Sequence, residues 1–129
     1  MTRSLATAGA EHGIRCNLVA PAAFTRMAGA VDDSPMASTR EAAMAPELVA
    51  PMVAFLAHED CPVTGEIYSA GAGRFARIFI AQAEGYVDDT GAPTVDDVAA
   101  HWAEINDDSS YTIPADLMAW SNAFMAHLG

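Results

Sequence analysis

An α/β fold on a parallel sheet is predicted by three stretches of this 129-residue sequence. Ile14 to Ala20 is mostly apolar with little alternation, the pattern of a strand covered on both faces. Glu66 to Ala70, after the turn Thr64-Gly65, reads as a second strand. Pro46 to His58, between them, reads as a helix long enough for a right-handed crossover, which makes the two strands parallel neighbours.

Taken in order, Thr2 to His12 reads as a helix with Leu5 inward among small Ala6, Ala8 and Ala10. Gly13 suits its C-cap because it adopts the left-handed conformation cheaply. Cys16 falls inside the first strand, where a buried thiol fills space. Pro21 lacks a backbone donor and is expected to end that strand. Small Ala22 and Ala23 then let a ligand approach the backbone, and Thr25 offers a hydroxyl. Phe24 to Met44 is poorly periodic, with a turn at Asp32-Asp33-Ser34-Pro35. Met27, Met36 and Met44 suit a pliable apolar pocket as well as core packing. The helix from Pro46 has its proline where the missing donor costs nothing and Glu47 at the positive end. Leu48, Met52, Phe55 and Leu56 make one apolar face, and Val49, Val53 and several Ala extend it round, so burial is expected, partly against another subunit.

Gly71-Ala72-Gly73-Arg74-Phe75-Ala76 fits the loose dinucleotide pattern G-x-G-x-x-G/A, which requires a helix to start here. Phe75 to Gln82 instead alternates like a strand, so the glycines are expected to make a bend. Thr94-Val95-Asp96-Asp97 opens a helix through about Ile105, with Thr94 as N-cap and Val98, Trp102 and Ile105 facing inward. Asn106 to Ser110 reads as a polar linker. Pro114 to Leu128 is a final amphipathic helix with Leu117, Trp120, Phe124 and Leu128 on one stripe, which must dock on the domain or on a partner.

Apolar content of 52% is enough for a core and argues against disorder. The net charge of −11 disfavours nucleic acid and anionic membrane surfaces, both of which need Lys and Arg clusters. No apolar run is long enough to cross a bilayer, and Met1-Thr2-Arg3-Ser4 is not a signal-peptide start, so a cytoplasmic location is expected. The two cysteines form no C-x-x-C, and His12, His58, His101 and His127 have no carboxylate or H-E-x-x-H company, so no metal site is expected.

Several of these motifs together resemble one family. Arg3-Ser4-Leu5-Ala6, His12-Gly13-Ile14-Arg15, Asn17-Leu18-Val19-Ala20-Pro21-Ala22 and Thr25-Arg26-Met27 look like the C-terminal half of a short-chain dehydrogenase/reductase. Pro46-Glu47-Leu48-Val49, Phe55-Leu56-Ala57 and Val63-Thr64-Gly65-Glu66-Ile67-Tyr68 resemble the family's penultimate helix, V-T-G turn and last strand. The tail from Gly71 resembles the dehydrogenase unit of peroxisomal multifunctional enzyme type 2 and its bacterial relatives. The resemblance implies the C-terminal half of a doubly wound Rossmann-like parallel sheet (residues 1–84) with an appended helical tail, an acidic turn and two helices (85–129). It implies NAD or NADP as cofactor and an alcohol or carbonyl as small-molecule substrate, possibly a 3-hydroxyacyl thioester.

By the same resemblance, Pro21, Ala22, Ala23 and Phe24 are backbone walls at the nicotinamide, and Thr25 donates a hydrogen bond to the carboxamide or pyrophosphate. Met27 and Met36 belong to a mobile substrate lid. Ala22 stands where the family commonly has Gly, and Asn17 is expected to tie the strand to its neighbour. The chain has no Lys, so the family's catalytic Tyr-x-x-x-Lys cannot be formed from it; the Gly-rich turn and catalytic Ser are also absent. The expectation is a fragment or truncated product that binds cofactor weakly and does not turn over alone. It would act in a homo-oligomer or with a missing half; the alternative is a non-catalytic interaction module pairing with full-length relatives.

Overall fold

The computed structural model describes residues 1–25 and 37–128. Two compact units divide the chain, Met1–Phe79 and Ile80–Gly129.

The first unit has the expected α/β character. Helix α1 (Thr2–Ala10) is followed by β1 (Leu18–Ala22), α2 (Ala37–Ala43), a 3₁₀ turn (Pro46–Leu48), α3 (Ala50–Ala57), β2 (Ile67–Gly71) and β3 (Arg74–Ile78). The sheet order is β1-β2-β3, with β1 parallel to β2 and Leu18 opposite Ile67. The predicted parallel pairing of the two strands is therefore present. Gly13 has the left-handed φ of 68° foreseen for it.

The boundaries of β1 differ from expectation at both ends. The strand begins at Leu18, because the residues before it spend their hydrogen bonds on a loop. The Cys16 amide donates to Thr64 Oγ1 at 3.0 Å and its carbonyl accepts from the Gly65 amide at 2.8 Å. Such local bonds compete with a sheet ladder. Cys16 is consequently half-buried, outside the strand. Pro21 lies inside the strand rather than ending it. The Leu18 amide donates to Glu66 O, so alternate amides face β2 and position 21 points to the side away from it. A missing donor there costs no ladder bond.

The glycines at the end of β2 make a hairpin, not a dinucleotide turn. Ala72 and Gly73 form a two-residue loop, both at positive φ (50° and 73°), between antiparallel β2 and β3. Two positive φ values match the twist of a tight hairpin. A Cβ on Gly71 would sit 2.3 Å from Ala22 O, so only glycine fits where β2 meets β1.

The expected single helix from Pro46 to His58 is broken. Pro51 stands at the start of α3, where it can donate no helical hydrogen bond, and a 3₁₀ turn precedes it. Nor is the helix buried all round. Val49 is buried, but Val53 and Phe55 are half-exposed.

In the second unit, β4 (Gln82–Ala83) pairs antiparallel with β5 (Tyr111–Thr112), and α4 (Val95–Ala100), α5 (Trp102–Ile105) and α6 (Leu117–Met125), with a 3₁₀ turn (Ala126–Leu128), follow the acidic loop. Thr94 caps α4 as predicted, in a reciprocal box: Thr94 Oγ1 accepts from the Asp97 amide, and Asp97 Oδ2 accepts from the Thr94 amide at 2.8 Å. The single helix expected to Ile105 divides at His101. The His101 ring stacks on Tyr86 with centroids 3.7 Å apart, and its Nδ1 lies 2.8 Å from Asp97 O. Trp102, expected inside, is largely exposed. The last helix starts at Leu117, not Pro114, because the Asp116 carboxylate caps it through the Ala119 amide at 2.8 Å.

Candidate functional site

The end of β1 and the start of α3 enclose an open cleft of about 640 Å³. Pro21, Ala23 and Thr25 form one wall, a period of two along extended chain. Pro46, Val49, Ala50, Val53 and Ala54 form the other. Among the described residues Thr25 is the one lining residue with a polar side chain; the others are small or aliphatic.

The sequence-nominated residues divide accordingly. Pro21, Ala23 and Thr25 line the cleft together. Ala22 turns away and packs against Gly71, and the Phe24 amide is taken by Met44 O at 2.8 Å. That last bond joins the strand end to the segment leading into the 3₁₀ turn. Met27 and Met36 lie outside the described residues.

Two polar side chains hold the walls in place. Asn17 ties β1 to the turn before β2, as expected. Its Nδ2 donates to Val63 O at 2.9 Å, and its Oδ1 accepts from the Glu66 amide at 3.2 Å. Arg15 was not foreseen. Its guanidinium donates to the carbonyls of Cys61, His58 (3.1 Å) and Glu59 (3.0 Å). These carbonyls lie at and just past the C-terminus of α3, where a cation complements the helix dipole. An arginine just before a strand, opposite a helix that ends without a basic residue, was the available clue.

Among the described residues no titratable side chain lines this cleft, and the perturbed groups lie in the second unit. The Tyr86 phenol is pushed up, first by loss of solvent and then by Asp88 and Asp97. Asp88 is held low by Thr90, and Asp97 by Thr94. A second cavity there, of about 480 Å³, is bordered by Glu84, Tyr86 and Asp88. Its carboxylates already accept from Ser110 and from Thr90 and Gly91. Among the described residues the first cleft therefore offers an apolar surface and one hydroxyl, and no group for acid-base chemistry.

No protein-family model matches the chain. A Mycobacterium tuberculosis protein of short-chain dehydrogenase/reductase type is 38% identical over 107 residues, which cover 83% of this chain and 36% of that protein. Peroxisomal multifunctional enzyme type 2 of Mus musculus is 35% identical over 78 residues, 60% of this chain and 10% of that enzyme. The full-length peroxisomal multifunctional enzyme type 2 of Drosophila melanogaster superposes with a TM-score of 0.79 at 24% identity, covering 98% of this chain and 23% of that one. The chain thus spans about a third or less of the length of these proteins. In sequence and in fold, with its parallel β1–β2 pair, the chain is thus similar to part of a short-chain dehydrogenase/reductase.

Proposed function

We propose that the chain supplies the cofactor floor of an NAD(P)-dependent short-chain oxidoreductase acting on an alcohol or carbonyl, with 3-hydroxyacyl thioesters as the substrate class. In this reading the tail from residue 85 is an extension of that domain, and the protein is cytoplasmic. No helix among the described residues is long and apolar enough to cross a membrane.

The observation that carries the reading is the cleft wall of Pro21, Ala23 and Thr25 at the C-terminal end of a parallel strand, the edge at which open α/β sheets bind ligands. Its residues fit a nicotinamide. Small side chains leave the backbone open to a flat ring, and Thr25 supplies one polar contact for the carboxamide or pyrophosphate. NAD(P), when bound, contributes hydride exchange. Pro21 and Ala23 form an apolar floor, Thr25 orients through its hydroxyl, and Val49 and Val53 offer apolar contact from the opposite side. Proton transfer belongs to groups outside this sequence, which contains no Lys.

Amide NMR titration with NAD⁺, NADH and NADP⁺ tests this. Shifts should concentrate at Ala23, Phe24, Thr25 and Ala50, with affinity weaker than micromolar, since the described residues include no helix N-terminus with a Gly-rich turn to hold the pyrophosphate. Thr25→Val should weaken binding about fivefold, the worth of one hydrogen bond. Spectra left unchanged by all three nucleotides would overturn the proposal. They would favour a second reading, a non-catalytic module pairing with full-length relatives, which draws on the half-exposed Val53 and Phe55 of α3.

A further inference from the structure

Away from the cleft, the second unit holds its own cavity of about 480 Å³, within the size range of small-molecule sites. Its borders come from three places in the chain. β4 and the acidic loop supply Gln82, Glu84 and Tyr86, α5 ends on it with Ile105, and α6 with its 3₁₀ turn supplies Phe124 and His127. Gln82 is fixed by the β4–β5 pairing, opposite Thr112. Its Oε1 is buried and, among the described residues, has no hydrogen-bond partner. Folded proteins rarely leave a buried carbonyl oxygen unsatisfied, because its lost hydration is costly. Tyr86 lies flat on His101, ring centroids 3.7 Å apart and 6° between planes, and its hydroxyl donates to Asp88 at 3.4 Å. Loss of solvent and then Asp88 push its phenol up, so the ring stays neutral. One Glu84 oxygen accepts from Ser110 at 2.8 Å. No Lys or Arg lies anywhere in Ile80–Gly129 to balance these carboxylates.

We infer that this cavity binds a small organic cation, a primary ammonium carried on an apolar chain or ring. An ammonium has only donors to offer, and the Gln82 oxygen requires a donor. A further N–H suits the Glu84 carboxylate. Tyr86 and Phe124 add aromatic rings, whose faces attract a cation, and Ile105 and Ala123 take the apolar body. Glu84 is exposed, so its charge contributes less than the buried Gln82 oxygen. An anion would meet carboxylates with no Lys or Arg beside them. A neutral alcohol would satisfy Gln82 but gain nothing from Glu84 or from the rings.

Isothermal titration calorimetry on the full chain tests this with 2-phenylethylammonium, 2-phenylethanol and phenylacetate, which differ at the polar end. No nucleotide is present, so the result is independent of the first cleft. The ammonium should bind at least about tenfold more tightly than the alcohol, and phenylacetate should not bind. Gln82→Leu should weaken ammonium binding about tenfold. It should leave the melting temperature of the free chain unchanged or higher, because an unsatisfied oxygen is removed. Glu84→Gln should weaken binding about threefold and flatten its dependence on salt. If Gln82→Leu loses its fold, Phe124→Leu reports on the same cavity, with a loss of about threefold. No saturable binding of the ammonium at two temperatures, equal affinity for the alcohol, or an affinity indifferent to these substitutions would each overturn the inference.

Discussion

Arg15 shows how much one side chain can organise here. Its guanidinium bonds to three carbonyls that lie more than forty residues away in sequence, closing the loop between α3 and β2 onto the entrance of β1. Removing it leaves those carbonyls at the negative helix end without a cation. Arg15→Ala should lower unfolding stability by about 1–3 kcal/mol, the worth of hydrogen bonds to a charged group. Arg15→Lys should restore only part, since an ammonium lacks the planar fork. Urea titration reads both, and an unchanged midpoint for Arg15→Ala would show the clamp to be dispensable. Ala72 is the opposite case, a residue held at φ 50° where its Cβ is strained. Ala72→Gly should stabilise the hairpin by up to about 1 kcal/mol, seen as a higher melting temperature; a drop would mean that chain entropy outweighs the strain.

At the scale of the element, α4 exists because of its cap. Thr94 and Asp97 satisfy each other's amides, and the Asp97 carboxyl sits below its ordinary value of 3.8, first through the Thr94 side chain and then through the Thr94 amide. A depressed folded value means the unfolded chain binds the proton more readily. The carboxylate's contribution is therefore complete above the ordinary value and is lost as pH falls through the depressed one. Acidification below about pH 4 should fray α4 early, and Asp97→Asn should remove most of that pH dependence. Amide exchange at Val98 and Ala99 would show it; identical acid profiles for both proteins would refute it. Thr94→Ala should cost the helix about 1 kcal/mol at neutral pH.

The whole molecule has a thin core. Among the described residues only Ala6, Val49, Cys61 and Ala70 are buried apolar side chains, and Cys61 is the largest that is fully buried. A core of four small or medium side chains cannot hold a chain of this length rigidly against its conformational entropy. With β1 and β3 at the edges of the described sheet, the purified chain should self-associate or remain partly molten. It should also show no NAD(P)H-linked turnover, because it contains no Lys to complete the family's Tyr-x-x-x-Lys arrangement. A monodisperse monomer with a sharp melting transition would contradict the first expectation, and robust turnover the second.

What the sequence by itself determined was local. Thr94 followed by Asp97 was enough for the capping box, Gly71 to Gly73 for a bend, and two apolar runs around a helix for a parallel pair. Each depends on neighbours within a few residues or on a connection with one permitted hand. Tertiary structure decided the rest. β1 starts at Leu18 because Cys16 bonds to Thr64 and Gly65, nearly fifty residues on, and Pro21 fits because its missing donor faces away from β2. The pairing of Gln82 with Thr112, the Arg15 clamp and the exposure of Trp102 have no local signature at all. In the cleft, Pro21, Ala23 and Thr25 were legible as a strand end, but the facing wall of Val49 and Val53 was not. A helix's own periodicity shows which residues share a face, and only the neighbouring sheet determines which of those faces it covers.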